Sequence, residues 1–142
     1  SFGMVQLEKL DQNIASRQAN FERQCKFFDN YPDYFSNPQE THGCNTAWLA
    51  FPILIKEGTP FTRKEFQIFL EKRNIQTRVV FTGNILRQPM CQNISKRVLE
   101  EGYPNADRVM ARGVLLPLHH GMTESMFSRF HATVHEFIEQ YD

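Results

Sequence analysis

Apolar residues near the start of the chain recur at every third or fourth position, or at twice that spacing. The positions are Leu7, Leu10, Ile14, Phe21, Cys25 and Phe28. This spacing places them on one face of an α-helix, and the other face is polar. The pattern predicts one long helix over residues 3–29. Prolines at positions 32 and 38 end it, because proline cannot continue a helix.

Three later segments have the pattern of strands. The first covers residues 48–55, and Pro52 within it indicates an edge or a bulge because proline lacks a backbone donor. Its predicted inward positions are Leu49, Phe51, Ile53 and Ile55. The second strand covers residues 75–81, and the third covers 114–118. In the second, the predicted inward positions are Ile75, Thr77, Val79 and Phe81, and those facing away are Gln76, Arg78 and Val80.

Two further helices have clear start signals. Thr62 with Glu65 three residues later predicts a capping box, and Phe61 with Phe66 predicts the accompanying hydrophobic staple. That helix is expected to stop near Asn74, a residue type that tolerates a left-handed conformation. Thr123 is the predicted cap of a final helix. Its predicted inward positions are Phe127, Phe130, Val134, Phe137 and Ile138.

The remaining elements complete a small α+β domain. A short helix is expected over residues 106–112, closed by Gly113, and residues 82–105 are expected to be mostly irregular. The predicted order is helix, strand, helix, strand, short helix, strand, helix. This order predicts a small three-stranded, mainly antiparallel sheet packed with helices, in one domain over residues 1–142.

Composition excludes several classes of partner. The 16 basic and 16 acidic residues balance, which argues against nucleic acid or an anionic membrane as a partner. No apolar run approaches the length of a membrane span. The three cysteines lack metal-ligand spacing, and a cytoplasmic protein with free thiols and no metal is expected.

Hydrogen-bonding side chains cluster in and just after the second predicted strand, in QTRVVFTGNILRQPM (76–90). Arg78 is either an edge arginine that extends to solvent or a clamp for a phosphate or carboxylate. Asn84, Arg87 and Gln88 follow on a loop, where each alone fits a solvated position. Together with Arg78 they indicate a site for a polar ligand.

Histidines form two pairs. His119 and His120 are adjacent, so their side chains diverge and make a poor metal site; the alternatives are one surface and one packed histidine, or donors to a sugar or phosphate. His131 and His135 lie four residues apart on the final helix, with no third ligand suggested, so a solvated face is favoured over a metal site. No nucleophile–base motif, phosphate-binding loop or dinucleotide fingerprint is present.

Four segments, in order and spread over nearly the whole chain, resemble one family. They are FGMVQLEKLDQNIASRQANF (2–21), WLAFPILIKE (48–57), FLEKRNIQTRVVFTGNILRQPM (69–90) and NADRVMARGVLLPLHHGMT (105–123). The chain resembles the C-terminal part of the DegT/DnrJ/EryC1/StrS family, pyridoxal-phosphate enzymes that modify nucleotide-linked sugars. The TR-x-x-F-x-GN-x-x-RQP pattern is similar to the branch that contains the 4-keto-6-deoxyhexose 3-dehydratases.

The resemblance implies the C-terminal small domain of a fold-type I enzyme that uses pyridoxal 5′-phosphate (PLP) and forms a homodimer when full length. The large domain, which holds the cofactor and the Schiff-base lysine, is then expected outside this chain. None of the six lysines matches that motif: Lys9, Lys26, Lys56, Lys64, Lys72 and Lys96. No catalytic residue and no bound cofactor are therefore expected in this chain by itself.

The resemblance also implies a role for the polar loop, which faces the substrate cleft in the family. The expected contacts to a nucleotide-sugar substrate are Arg78, Asn84, Arg87, Gln88, His119 and His120. The expected function is the small domain of an aminotransferase acting on a nucleotide-linked keto-sugar, in deoxysugar or lipopolysaccharide synthesis. The alternatives are the small domain of a 3-dehydratase, a stand-alone nucleotide-sugar binding module, or a purely structural or dimerisation domain.

Overall fold

A computed structural model describes residues 2–141 and contains five α-helices and one four-stranded sheet among them. The helices are α1 (Phe2–Glu8), α2 (Leu10–Phe28), α3 (Arg63–Glu71), α4 (Pro104–Arg112) and α5 (Glu124–Ile138). The strands are β1 (Phe35–Ser36), β2 (Phe51–Ile55), β3 (Arg78–Val79) and β4 (Gly113–Leu116). Two 3₁₀ turns, Ile85–Arg87 and Pro89–Cys91, lie between β3 and α4.

The sheet has the order β1-β2-β4-β3, and every neighbouring pair is antiparallel. The α+β class is therefore confirmed, but the predicted count of three strands is wrong. The additional strand, β1, is two residues long and pairs with only Leu54 and Ile55. Its brevity, between two prolines, gives too few positions for an alternating pattern to be recognised.

The core lies between one face of the sheet and helices α2, α3 and α5. Alternate residues of β2 point into it, and Phe51, Ile53 and Ile55 are all buried. The ring of Phe28 from α2 stacks on Phe51 with centroids 5.5 Å apart. Phe66 from α3 meets Phe137 from α5 at 5.2 Å. Aromatic rings from all three helices thus seal one face of β2, and this burial is the main stabilising term for the fold.

The cap predictions are confirmed. The Thr62 hydroxyl accepts from the Glu65 amide, while the Glu65 carboxylate accepts from the Thr62 amide at 2.7 Å. Thr123 caps α5 by accepting from the amide of Met126. The predicted inward positions of α5 are all buried. Asn74 has a φ of 57° and turns the chain after α3, as expected.

The N-terminal helix is divided, contrary to the prediction of one helix over residues 3–29. It breaks at Lys9, and Leu7 and Leu10 beside the break are 63% and 46% exposed. Only the C-terminal part of the predicted stripe reaches the core, where Phe28 is buried and Phe21 packs against the edge of the cluster. The periodicity therefore identified a helix face, but the first part of that face extends past the core.

The observed strands are shorter at their ends than predicted. β2 begins at Phe51, and Leu49 is 78% exposed rather than inward. Pro52 pairs with β4 on one side and lies beyond the end of β1 on the other, so it does occupy a local edge. The final predicted strand runs Gly113–Leu116 rather than 114–118. The short helix before it begins two residues earlier than expected, at Pro104.

The predicted strand over residues 75–81 is reduced to Arg78–Val79. Ile75 and Thr77 are buried as expected, but Val79 is 45% exposed. Phe81 is 86% exposed and adopts a φ of 46°. This left-handed conformation is costly for an aromatic residue and turns the chain away from the sheet. The turn directs residues 82–92 towards α4.

Among residues 2–141, no helix has both the length and the apolar character that a membrane span requires. Cys25, Cys44 and Cys91 are free thiols, and burial raises the pKa of Cys25 to about 11. That thiol is therefore held in its protonated, unreactive form.

Candidate functional site

Two of the predicted site residues, Arg78 and His119, line the same groove. This groove, called the Arg78 groove below, has a volume of about 380 Å³ and lies where β3 and the end of β4 meet. Its other lining residues include Leu49, Ala50, Gln76 and Leu115. The antiparallel register pairs Arg78 with Leu115, so the arginine is fixed at the open edge of the sheet.

Arg78 is exposed, and within residues 2–141 its guanidinium has no hydrogen-bond or ion-pair partner. This differs from Arg23, Arg73 and Arg112, each of which pairs with a carboxylate. An arginine without a counter-charge at a groove can donate all the hydrogens of its guanidinium to an anionic ligand. The Arg78 groove therefore has the chemistry of a phosphate or carboxylate site.

His119 has a defined tautomer when neutral. Its Nδ1 accepts a hydrogen bond of 3.2 Å from the amide of Gly121, so the ring proton is on Nε2. Its backbone oxygen accepts from the side chain of Asn20 at 2.8 Å, which ties this loop to α2. The ring can therefore donate from Nε2. His120 is also exposed, but it does not line the Arg78 groove.

Asn84 and Arg87 lie together at a second place, on the carboxylate of Asp107 in α4. The side-chain amide of Asn84 donates from Nδ2 to Oδ1 of Asp107 at 2.8 Å. Arg87 donates from Nε to Oδ1 at 2.9 Å and from Nη2 to Oδ2 at 2.8 Å. These three residues are called the clasp below. Hydrogen bonds from Arg87 first, and from Asn84 second, lower the pKa of Asp107 to about 2.

The loop that carries the clasp is held closely against α4. Gly83 has a φ of 62°, and a Cβ added there would lie 2.3 Å from Cβ of Met110 and 2.8 Å from its Cα. Asn84 is 5% exposed and its Oδ1 accepts from the amide of Leu86, which starts the first 3₁₀ turn. Gln88 donates to the carbonyl of Thr82 at 2.9 Å and closes the loop on itself.

The structure thus divides the six residues predicted as substrate contacts. Arg78 and His119 share a groove, Asn84 and Arg87 share a carboxylate, Gln88 bonds within its loop, and His120 stands apart. Their contact with a substrate stays a prediction. Sequence reasoning missed Asp107, which lies 20 residues from Arg87. Asp107 falls within a segment that carries the family resemblance, but nothing in one sequence indicates a pairing over that distance.

The solvated face favoured for His131 is wrong. Its ring stacks on Phe27 with centroids 3.9 Å apart, and Nε2 lies 2.9 Å from Oε1 of buried Gln24. Burial, and secondarily the charge of Arg23, lower the pKa of His131 to about 4. His135 instead contacts the Tyr31 hydroxyl at 2.9 Å. Among residues 2–141, no three His, Cys, Asp or Glu side chains gather as metal ligands would.

The lysines do not complete a site for PLP, which attaches to enzymes through a lysine amine. All six are exposed, and none lines the Arg78 groove or contacts the clasp. The ammonium of Lys96 donates to the carbonyl oxygens of Cys91 and Gln92 and so is engaged locally. The residues of this chain therefore do not fit the cofactor by themselves.

The chain is similar in sequence to several known proteins. The chain is 32% identical over 121 residues to the lipopolysaccharide biosynthesis protein RfbH of Salmonella typhimurium, a match covering 85% of this chain and 28% of that protein. It is 29% identical to the dTDP-4-dehydro-2,6-dideoxy-D-glucose 3-dehydratase of Saccharopolyspora spinosa, covering 97% of this chain and 29% of that one. The chain therefore spans less than a third of the length of these relatives.

A solved structure gives the same result. The E. coli GDP-4-keto-6-deoxy-D-mannose 3-dehydratase, a structure with bound hydrated PLP, superposes with a TM-score of 0.78 at 25% identity. The match covers 92% of this chain and 32% of that enzyme. The model of the DegT/DnrJ/EryC1/StrS aminotransferase family matches residues 1–135. With nearly the whole chain matched in sequence and in fold, this chain belongs to the DegT/DnrJ/EryC1/StrS aminotransferase family.

Proposed function

We propose that this chain is the small domain of a PLP-dependent aminotransferase that acts on a nucleotide-linked keto-sugar. The observation that carries the proposal is the Arg78 groove, where a guanidinium without a counter-charge lies beside a histidine that can donate from Nε2. A nucleotide-linked sugar has a diphosphate that such a guanidinium recognises. Membership of an aminotransferase family supports the proposed reaction class.

In this proposal the chain binds and orients the substrate. Arg78 contacts the diphosphate, and His119 donates to a neighbouring oxygen. We propose that the loop with Asn84, Arg87 and Gln88 lies beside the sugar of the substrate, because amide and guanidinium donors suit hydroxyl groups. His120 is exposed next to His119 and completes the proposed set.

The cofactor is proposed to lie in the rest of the full-length enzyme, which is a homodimer in the cytoplasm. When bound there, PLP would supply the electron-withdrawing chemistry of the reaction. The groups in this chain would bind and orient the substrate. The proposal is supported by the PLP held in the related E. coli enzyme.

A 3-dehydratase is a second candidate, because two of the relatives described above are named as 3-dehydratases. Both reactions begin with a nucleotide-linked keto-sugar and a PLP-family cofactor. The binding roles proposed for Arg78 and the loop are therefore the same in both. The expected difference is at the Schiff-base position: a lysine there attaches the cofactor in the aminotransferases, and in the dehydratase branch that lysine is replaced by a histidine, which forms no Schiff base.

The test uses the full-length protein that contains this chain. It is supplied with PLP, an amino-acid donor and 4-keto-6-deoxyhexoses linked to GDP, dTDP, CDP and UDP, and the products are identified by mass spectrometry. An amino-sugar product supports the aminotransferase, and a product that has lost the C3 hydroxyl supports the dehydratase. If no nucleotide-linked sugar in the panel binds or reacts, the proposed function is wrong.

A further inference from the structure

We infer that Asp107 is a positioning residue, which holds Arg87 so that the outer edge of its guanidinium meets an uncharged oxygen of the substrate sugar. The inference rests on the proposed function and deepens it by separating the contacts to the sugar from those to the diphosphate. It concerns a residue that does not itself contact the substrate. Its effect is expected to pass through Arg87.

The hydrogen bonds of the clasp use only one edge of Arg87. Nε and Nη2 each donate one hydrogen to Asp107, and a guanidinium has five. Among residues 2–141, Nη1 of Arg87 has no hydrogen-bond partner. The two hydrogens of Nη1 and the second hydrogen of Nη2 form a free fork, and the Arg87 side chain is 64% exposed. The arrangement fixes the direction of the fork without occupying it.

Asp107 also fixes the backbone from which Arg87 projects. Its Oδ1 accepts from the amide of Asn84, whose own Oδ1 accepts from the backbone of Leu86. Gly83, one residue earlier, packs on Met110, which lies one turn further along α4. The guanidinium of Arg87 and the loop backbone that carries it are therefore both held against α4. A side chain held in this way loses less conformational entropy when a ligand binds.

Charge balance indicates what kind of ligand the fork takes. Arg87, Asp107 and Glu101 all line one groove of about 270 Å³. The charge of the Arg87 guanidinium is neutralised by Asp107, which leaves the negative charge of Glu101. A phosphate would therefore meet a net negative surrounding. A hydroxyl or carbonyl oxygen of a sugar needs directed donors and no net charge, so it fits the fork better.

The test is the substitution Asp107→Asn in the full-length enzyme, with the nucleotide-linked keto-sugar that the enzyme turns over. Asparagine keeps an oxygen for Asn84 and removes one of the two oxygens that hold Arg87. We expect KM for the sugar nucleotide to rise about tenfold with kcat within about twofold, since a preset binding contact is lost. The calorimetric affinity for the free nucleoside diphosphate should change by less than about twofold.

A matched control separates positioning from general loss of an ion pair. Glu136 holds Arg73 through the same Nε and Nη2 edge, but between α5 and the end of α3. Glu136→Gln should leave KM unchanged. In an Arg87→Ala background, which should raise KM to a similar extent by itself, Asp107→Asn should add nothing further. The Arg87→Ala variant also reports on the contact if Asp107→Asn does not fold.

Three outcomes would overturn the inference. KM could stay unchanged in Asp107→Asn, it could rise equally in Glu136→Gln, or Asp107→Asn could have its full effect without Arg87. In each of these the wild-type enzyme still binds the sugar nucleotide, so the proposed function stands. Failure of the wild-type enzyme to bind any nucleotide-linked sugar would instead remove the proposed function and this inference with it.

Discussion

The chain presents two arginines near the edge of its sheet, and they are held in opposite ways. Arg78 lies on a two-residue strand at a groove and has no partner within residues 2–141. Arg87 lies in the 3₁₀ turn Ile85–Arg87 and is held by the two hydrogen bonds that it donates to Asp107 in α4. The arginine on the strand has no such partner, while the arginine in the 3₁₀ turn is held by a carboxylate. Secondary structure alone therefore does not indicate which side chain is preset for binding.

Because of this difference, the two arginines are expected to recognise different parts of a ligand. The full positive charge of Arg78 is available to attract an anion, and its interaction weakens with salt. Arg87 belongs to a neutral pair and offers direction rather than charge. A ligand with a diphosphate and a sugar presents one group of each kind. The two arginines are therefore expected to discriminate between parts of one ligand, and substitutions can test this division.

The largest effect is expected from Gly83→Ala, which acts on the clasp alone. A Cβ at this position would lie within 2.8 Å of the Met110 backbone, and the φ of 62° is strained for alanine. Displacement of the loop from α4 should lower kcat/KM of the full-length enzyme about 100-fold and stability by about 2–4 kcal/mol. Calorimetry should still detect binding of the free nucleoside diphosphate at the Arg78 groove.

Gly58→Ala is the matched control for this substitution. Gly58 has a φ of 82°, but a Cβ there would meet nothing within 4 Å. It therefore has the backbone cost of about 1 kcal/mol without the steric clash. Equal losses of kcat/KM in the two variants would mean that loop displacement is not the cause. Loss of nucleoside diphosphate binding in Gly83→Ala would break the division between the two regions.

The next effect in size is expected from Arg78→Ala. Loss of charge-assisted hydrogen bonds should weaken binding of the free nucleoside diphosphate and of the whole sugar nucleotide by the same amount, about 30-fold or 2 kcal/mol. The wild-type affinity should fall as salt rises, and that slope should flatten in the variant. The measurement is calorimetry on the full-length enzyme at two ionic strengths.

Arg97→Ala provides the control, because Arg97 is exposed and likewise has no partner among residues 2–141. It removes the same charge but does not line the Arg78 groove. Arg97→Ala should weaken binding by less than about twofold. If both variants weaken binding equally, overall charge rather than the groove attracts the ligand, and the role proposed for Arg78 falls.

The parts of the fold that the sequence predicted are those with local causes. Thr62 and Glu65 form their capping box within four residues, and Thr123 caps α5 in the same way. The inward stripe of α5 follows from helical periodicity. The division at Lys9 could not be predicted from the pattern, because both helices continue one apolar stripe. Strand β1 was missed because two residues have no periodicity.

The candidate site shows the same limit. Residue type and spacing identified the segment 76–90, which supplies both arginines of the comparison. Their difference depends on Asp107, which is 20 residues away from Arg87 in sequence and comes close only through the turn at Phe81 and the approach of Gly83 to α4. His131 was likewise placed on a solvated face because its contact with Phe27 joins helices distant in sequence. Tertiary contacts of this kind have no signal in a single sequence.

The smallest effect is expected from the adjacent histidines, and it tests how far the Arg78 groove extends. His119 lines the groove with its Nε2 free to donate, whereas His120 does not line it. His119→Ala should weaken sugar-nucleotide binding by the full-length enzyme about fivefold, the size of one neutral hydrogen bond. His120→Ala should have the smaller effect, because its ring is exposed outside the groove. Calorimetry of both variants, with His119→Gln to keep a donor, measures the difference. A larger loss in His120→Ala would move the ligand out of the Arg78 groove and towards the loop 119–122, and the assignment of the diphosphate to Arg78 would then have to be abandoned.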